Sequence, residues 1–190
     1  MVIIVGHGAS LAGQGRGEEI DSFPVVIRLR FGGKKTEDNS IPNPKDCGTK
    51  KTILAANAQS HKIIKETEIH PDGETWLFSR PGDISEDYKK QIFYNFVMFN
   101  PVICTESDKW LKRYDEMGAK GFDGHKPIPG NGTIVTLIAM ERLKPKKIYL
   151  AGFDAFWDKS ITRRSNHDLV CERKLLKEAS KHYGVELVKF

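Results

Sequence analysis

Two glycine-rich turns, a histidine beside a helical pattern and a pair of arginines are the residues of this 190-residue chain whose types and spacing could do chemistry. The first turn follows a β-branched run: Val2-Ile3-Ile4-Val5 breaks into Gly6-His7-Gly8-Ala9-Ser10-Leu11, and further glycines follow at Gly13, Gly15 and Gly17. A buried strand ending in glycines admits a ligand close to the backbone, and free N–H groups after the strand can bind phosphate or ribose. The spacing is not G-x-G-x-x-G running straight into a helix, which disfavours NAD. The second turn, Pro129-Gly130-Asn131-Gly132-Thr133, opens an apolar helical run from Ile134 to Leu143. Its unpaired N–H groups face an anion, and Thr133 adds a hydroxyl.

Ser165 or Asn166 is expected to cap the final helix and to place His167 in its first turn. There the helix dipole disfavours imidazolium and keeps the ring available to accept a proton. A solvent-exposed first-turn histidine is the plain alternative. Five residues rotate a helix by about 140°, so His167 and Glu172 are not expected on one face, and Glu172 reads as structural or as a loop anchor. Arg163 and Arg164 could supply positive charge to a phosphate, or form a solvated loop pair. His7 is a candidate nucleotide contact or a cap of its turn, and Arg30 a candidate for a phosphate or sugar carboxylate or a surface residue at a strand end. Asp154 and Asn57, each ending an apolar run, are candidate polar contacts to a bound ligand. No D-x-D precedes Asp154 and no His/Cys/carboxylate set has metal spacing, so no metal or other cofactor is expected.

The elements that must position these residues follow from periodicity. Apolar runs at 2–5, 24–29, 52–56, 75–79, 101–104, 147–151 and 185–189 read as mostly buried strands, and helical patterns at 59–66, 85–98, 106–117, 133–143 and 167–183 alternate with several of them. This predicts an α/β fold: a single Rossmann-like domain over 1–190, with a mostly parallel sheet and helices on both faces. Loops are expected at 32–48, at 118–132, which contains His125, and at 154–166; all three flank strand ends and could converge at the carboxyl edge of the sheet. In the segment 92–99, Phe93, Phe96 and Val97 share a helical face, which favours core packing over a base-stacking platform.

Thirty basic against 25 acidic residues give a formal charge of +5 and a pI near 9.0. That balance suits anionic ligands, but the charge is too dispersed for a dedicated DNA-binding domain. Cys47, Cys104 and Cys171 lack metal-type spacing and are expected to be reduced thiols. No apolar run is long enough for a membrane span and Met1 leads directly into the first strand, so a cytoplasmic protein is expected. The sequon at Asn131-Gly132-Thr133 then reads as turn chemistry.

The order of residues resembles the long sialylmotif of the eukaryotic-type sialyltransferase family, which runs V-V-G-N-x-x-x-L, glycines, E-I-D-S, F-V-x-R-x-N and later V-G-x-K-T-T. Val5, Gly6, Leu11, Gly17, Glu19, Ile20, Asp21, Ser22, Val26 and Arg28 match, followed by Gly48-Thr49-Lys50-Lys51-Thr52. His7 and Arg30 stand where the family places asparagines on a cytidine nucleotide. The stretch from Pro129 to Asp154 is similar to the short sialylmotif, whose P-S-T-G turn, helix and strand ending in G-F hold the donor nucleotide. His167 and Glu172 have the H-x-x-x-x-E spacing of the very short sialylmotif, whose histidine is the family's general base. The intermediate H-Y motif is missing, and 57–125 carries no resemblance. Bacterial single-domain sialyltransferases have a similar compact layout and a G-N-G-P-S-L opening like Gly6 to Leu11.

The resemblance implies a sialyltransferase-like fold, a GT-A variant, and an inverting, metal-independent glycosyltransferase with a nucleotide sugar as co-substrate. His167 is the implied base, and Gly6, His7, Gly8, Ser10, Arg30, Asn57, Asn131, Gly132, Thr133, Asp154, Arg163 and Arg164 the implied donor contacts. CMP-sialic acid is the family-typical donor and a glycan hydroxyl the typical acceptor; the positions of His7 and Arg30 leave another nucleotide sugar open. Alternatives are a glycosyltransferase of bacterial or phage type acting on hydroxymethylated DNA bases, an inactive nucleotide-binding module, or another α/β transferase acting on nucleotides or pterins. Oligomeric state is open.

Overall fold

The computed structural model describes residues 1–30, 43–57, 73–78, 102–121, 126–164 and 167–190. The helical patterns expected at 59–66 and 85–98, the aromatic segment 92–99 and His125 lie outside the described residues.

Every expected strand is present: β1 (Val2–Val5), β2 (Val25–Arg30), β3 (Ile53–Asn57), β4 (Glu74–Phe78), β5 (Val102–Cys104), β6 (Lys147–Ala151) and β9 (Glu186–Lys189). They form one seven-stranded sheet in the order β5-β4-β3-β2-β1-β6-β9, with all pairs parallel. The chain winds outward from β1 through β2 to β5 on one side, then crosses back to lay β6 and β9 on the other. The order therefore reverses at β1, and ligands of open α/β sheets bind beyond the carboxyl ends of strands at such a point.

Side-chain alternation divides the core between the two faces. Val2, Ile4, Ile27 and Leu29 join the large cluster built with α3 (Asp108–Glu116), α4 (Asn131–Leu143) and α6 (Leu169–Tyr183). Ile3, Val5 and Val26 pack on the other face with Ile20 of α1 (Gly17–Asp21) and Cys47 of α2 (Pro44–Cys47). The strands read as continuous apolar runs because both faces are covered. Helix α4 is buried nearly all round, and no helix among the described residues is long and apolar enough to cross a membrane.

Two local expectations are corrected. The loop expected over 32–48 holds, in its described part, the short helix α2, started by the Asn43 side chain accepting from Lys45 N–H at 3.1 Å with Pro44 at the first helical position. The final helix begins at Leu169, not at 167. Asp168 is its cap, accepting from the N–H groups of Val170 and Cys171 at 3.1 Å each. An ionised carboxylate is a stronger acceptor than the Ser165 hydroxyl or Asn166 amide that sequence reasoning nominated. His167 therefore lies outside the helix, on the two-residue strand β8 (His167–Asp168), which pairs antiparallel with β7 (Arg163–Arg164).

Candidate active site

The sheet order brings the ends of β1 and β6 side by side, and the first glycine turn begins there. Gly6 N–H donates to Ala151 O at 2.8 Å and Gly8 N–H to Gly152 O at 2.9 Å. A Cβ on Gly6 would stand 2.7 Å from Gly152 O, and one on Gly8 2.6 Å from both Gly152 O and Asp154 Oδ1. These glycines serve the approach of two backbones. Their N–H groups are committed to β6, which corrects the expectation that they face a phosphate.

The rest of the turn is tied in the same way. Ser10 donates its N–H to Asp154 Oδ2 at 2.9 Å and its hydroxyl to Asp154 Oδ1. Asp154, at the start of α5 (Asp154–Trp157), thus locks the β1 turn against β6. The exposed His7 ring donates from Nε2 to Leu29 O at 2.9 Å; the carbonyl can only accept, so the proton is on Nε2. His7 thereby ties the end of β1 to β2. The backbone of Arg30 ends β2 in register with Ala56, and Asn57 ends β3, 4% exposed, at the same carboxyl edge.

The second glycine turn reaches the first through one ring. A Cβ on Gly132 would lie 2.6 Å from the Phe153 ring, and one on Gly6 3.2 Å from it, so Phe153 sits between the two turns. Gly130 caps α4 without a side-chain hydrogen bond, and Asn131 and Thr133 are buried in the first turn. Helix geometry leaves the N–H groups of that turn without intrahelical acceptors and places the positive end of the dipole there. The Thr133 hydroxyl donates to Glu172 Oε2, so its proton is directed inward to that carboxylate.

Glu172 also lies beside His167. His167 Nδ1 donates to Ile128 O at 2.6 Å, and Glu172 Oε1 stands 3.8 Å from the same nitrogen. With the proton held on Nδ1, the neutral ring carries its lone pair on Nε2, the arrangement of a general base. Glu172 is 3% exposed. The helical-rotation argument that separated these two residues fails because His167 stands before the helix and its ring folds back along it. Burial and then the Glu172 charge raise the Tyr114 phenol above its ordinary value.

The hairpin carrying His167 is fixed from both ends. Burial alone would raise the Asp168 carboxyl, but backbone N–H donation from Lys120, Cys171 and Val170 holds it below the usual carboxylate range. Lys120 N–H reaches Asp168 Oδ2 at 3.0 Å. Arg173 donates to Ala155 O, Asp158 O and Ile161 O at 3.1, 3.1 and 3.0 Å, pinning the segment that leads into β7. Arg163 and Arg164 are placed by backbone register opposite Asp168 and His167. Sequence reasoning missed Arg173; an arginine beside the motif glutamate was the available signal.

Residues 17–50 form a different network. Asp21 accepts from Thr49 N–H, Thr49 Oγ1 and Lys50 N–H, and Arg28 donates to Lys50 O at 2.8 Å and Cys47 O at 2.9 Å while lying 3.5 Å from Asp21. Gly48, at φ +69°, has no room for a Cβ, which would sit 2.2 Å from Asp21 Oδ1. Asp46 accepts from Gly15 N–H at 2.8 Å and so holds the later glycines of the first turn onto α2.

No family model matches the sequence, and no curated protein matches it. Solved structures do share its fold. The sialyltransferase CstII from Campylobacter jejuni in complex with CMP-3FNeuAc superposes with a TM-score of 0.54 at 21% identity, covering 99% of this chain and 79% of that one. The sialyltransferase CST-II in complex with a trisaccharide acceptor and CMP gives 0.55 at 19% identity over 99% and 79%. The Campylobacter jejuni enzyme with cytidine-5'-monophosphate gives 0.53 at 18% identity over 99% and 78%. At these identities the likeness establishes a sialyltransferase-like α/β fold over nearly the whole chain, as the sequence motifs imply.

Proposed function

We propose that this chain acts as one glycosyltransferase domain, moving a sugar from a nucleotide-sugar donor to an acceptor hydroxyl with inversion. The observation that carries the proposal is His167: its Nδ1 is fixed on Ile128 O, its lone pair is on Nε2, and it stands through Glu172 and Thr133 next to the start of α4. The fold is one whose solved examples hold CMP and, in one case, a trisaccharide acceptor. CMP-sialic acid is therefore the first donor and a glycan hydroxyl the first acceptor.

In this reading the donor phosphate lies at the α4 N-terminus, where N–H groups and the helix dipole stabilise negative charge that grows as the anomeric bond breaks. His167 Nε2 takes the acceptor hydroxyl proton while the acceptor oxygen attacks from the opposite side of the anomeric carbon. Arg163 and Arg164, on the strand facing His167, add positive charge for the departing phosphate. Metal-independent transfer belongs to the same reading, with the positive charge at the departing phosphate supplied by the protein.

Thermal stabilisation by cytidine, uridine, guanosine and adenosine nucleotides tests the donor site, because a ligand binding only the folded state raises stability. A selective cytidine shift followed by transfer from CMP-sialic acid to a glycan supports the reading. Selective stabilisation by another nucleotide moves the donor away from CMP, and transfer to hydroxymethylated DNA replaces the glycan acceptor. Nucleotide binding with no transfer to any acceptor assigns an inactive binding module. Loss of activity in chelator-treated protein overturns the metal-free mechanism.

A further inference from the structure

We infer that Glu172 is a positioning residue that couples the two halves of the site, balancing the imidazolium that His167 becomes and fixing Thr133 in the helix turn assigned to the departing phosphate. The inference rests on the reading of His167 as base. Three observations support it: Glu172 is 3% exposed, Oε1 stands 3.8 Å from His167 Nδ1, and Oε2 accepts the Thr133 hydroxyl. One carboxylate therefore meets a residue of α4 and a residue of β8.

The chemistry gives that contact a purpose. As transfer proceeds, the acceptor O–H bond breaks and its proton goes to His167 Nε2. The acceptor oxygen bonds to the anomeric carbon, and the bond from that carbon to the phosphate oxygen breaks, its electron pair leaving with the nucleotide. The ring gains a positive charge on the side of Glu172, and an opposite charge at this range stabilises the protonated form by about one pKa unit or more. Before transfer, the same carboxylate and the Ile128 carbonyl hold the proton on Nδ1, so Nε2 is the nitrogen offered to the acceptor. Among the described side chains, the other titratable groups beside the carboxylate are Tyr114 from α3, Cys171 on its own helix and Asp168 at the helix cap, and none of the three supplies a positive charge.

Glu172→Gln tests the pairing because it removes the charge at nearly constant shape. kcat is expected to fall about tenfold and the acid limb of the kcat–pH profile to move down by about one unit, since the ring then holds a proton less tightly. Glu172→Asp, which keeps the charge on a shorter stem, is expected to restore most of the acid limb while kcat stays between the two, and it carries the test should the glutamine variant fail to fold. Wild-type kcat and an unmoved acid limb in the folded variant, even with lowered thermal stability, overturn the inference. His167→Ala run alongside separates the two failures. If it abolishes transfer while Glu172→Gln is normal, only the coupling falls; if it transfers normally, the assignment of the base falls.

Discussion

Two carboxylates in this molecule sit among donors, and they are put to opposite uses. Asp21 is surrounded by fixed groups: two backbone N–H donors, the Thr49 hydroxyl and the Arg28 guanidinium, all of which stay as they are through any reaction. Glu172 faces a hydroxyl and an imidazole, and the imidazole can change its charge. The first network holds α1, α2 and the lead into β3 in place. The second places a negative charge beside the ring proposed to accept a proton. Much of the long-motif resemblance, through Gly17, Asp21, Arg28, Gly48 and Thr49, thus falls on scaffold, while the short H-x-x-x-x-E spacing falls on the pair proposed to handle the proton.

The contrast is broken most directly at His167. His167→Ala is expected to reduce kcat by about 10²–10⁴-fold with little change in melting temperature, as for loss of a general base. Initial-rate assays beside a thermal melt check it; a large stability loss with residual kcat would make His167 scaffold too. Gly48→Ala is expected to cost about 3 kcal/mol or more of stability, from a left-handed φ and a Cβ driven into Asp21, measured by denaturant unfolding. Asp21→Ala should destabilise by about 2 kcal/mol through the stranded Thr49 and Lys50 donors and leave the pH–rate profile unmoved. A shifted acid limb in that variant would erase the distinction between the two carboxylates.

A smaller effect sharpens the comparison at Asp168. Its folded carboxyl is held below the ordinary range, so its contribution is fully present above the unfolded value of about 3.9 and is lost as pH falls through the lower folded value. Asp168→Ala is expected to cost about 1 kcal/mol at neutral pH, the usual worth of a helix cap, and to flatten the fall in stability between about pH 4 and pH 2. Urea unfolding across that range checks both, and an unchanged acid slope refutes the cap assignment.

Much was legible in the chain before any coordinates. Apolar runs such as Val2–Val5 and Lys147–Ala151 are strands because both faces of a parallel sheet are buried, which writes itself into local composition. The glycine turns, the helix after Gly130 and the resemblance to the sialyltransferase family were also local. What was misread was also local in kind: Asp168 rather than Ser165 or Asn166 caps α6, because competition between adjacent acceptors is decided by which one the folded backbone presents to Val170 and Cys171.

Sequence by itself determined the strands, their parallel arrangement and the two turns, since each depends on neighbours along the chain. Only the tertiary structure decided what the turns do. Gly6 and Gly8 spend their N–H groups on β6, Asp154 is taken by Ser10, and Phe153 joins turns more than a hundred residues apart, because β6 returns beside β1. The meeting of His167 and Glu172 belongs to the same class: a helical rotation cannot report it when one partner precedes the helix, and packing against Ile128 and Thr133 sets the distance.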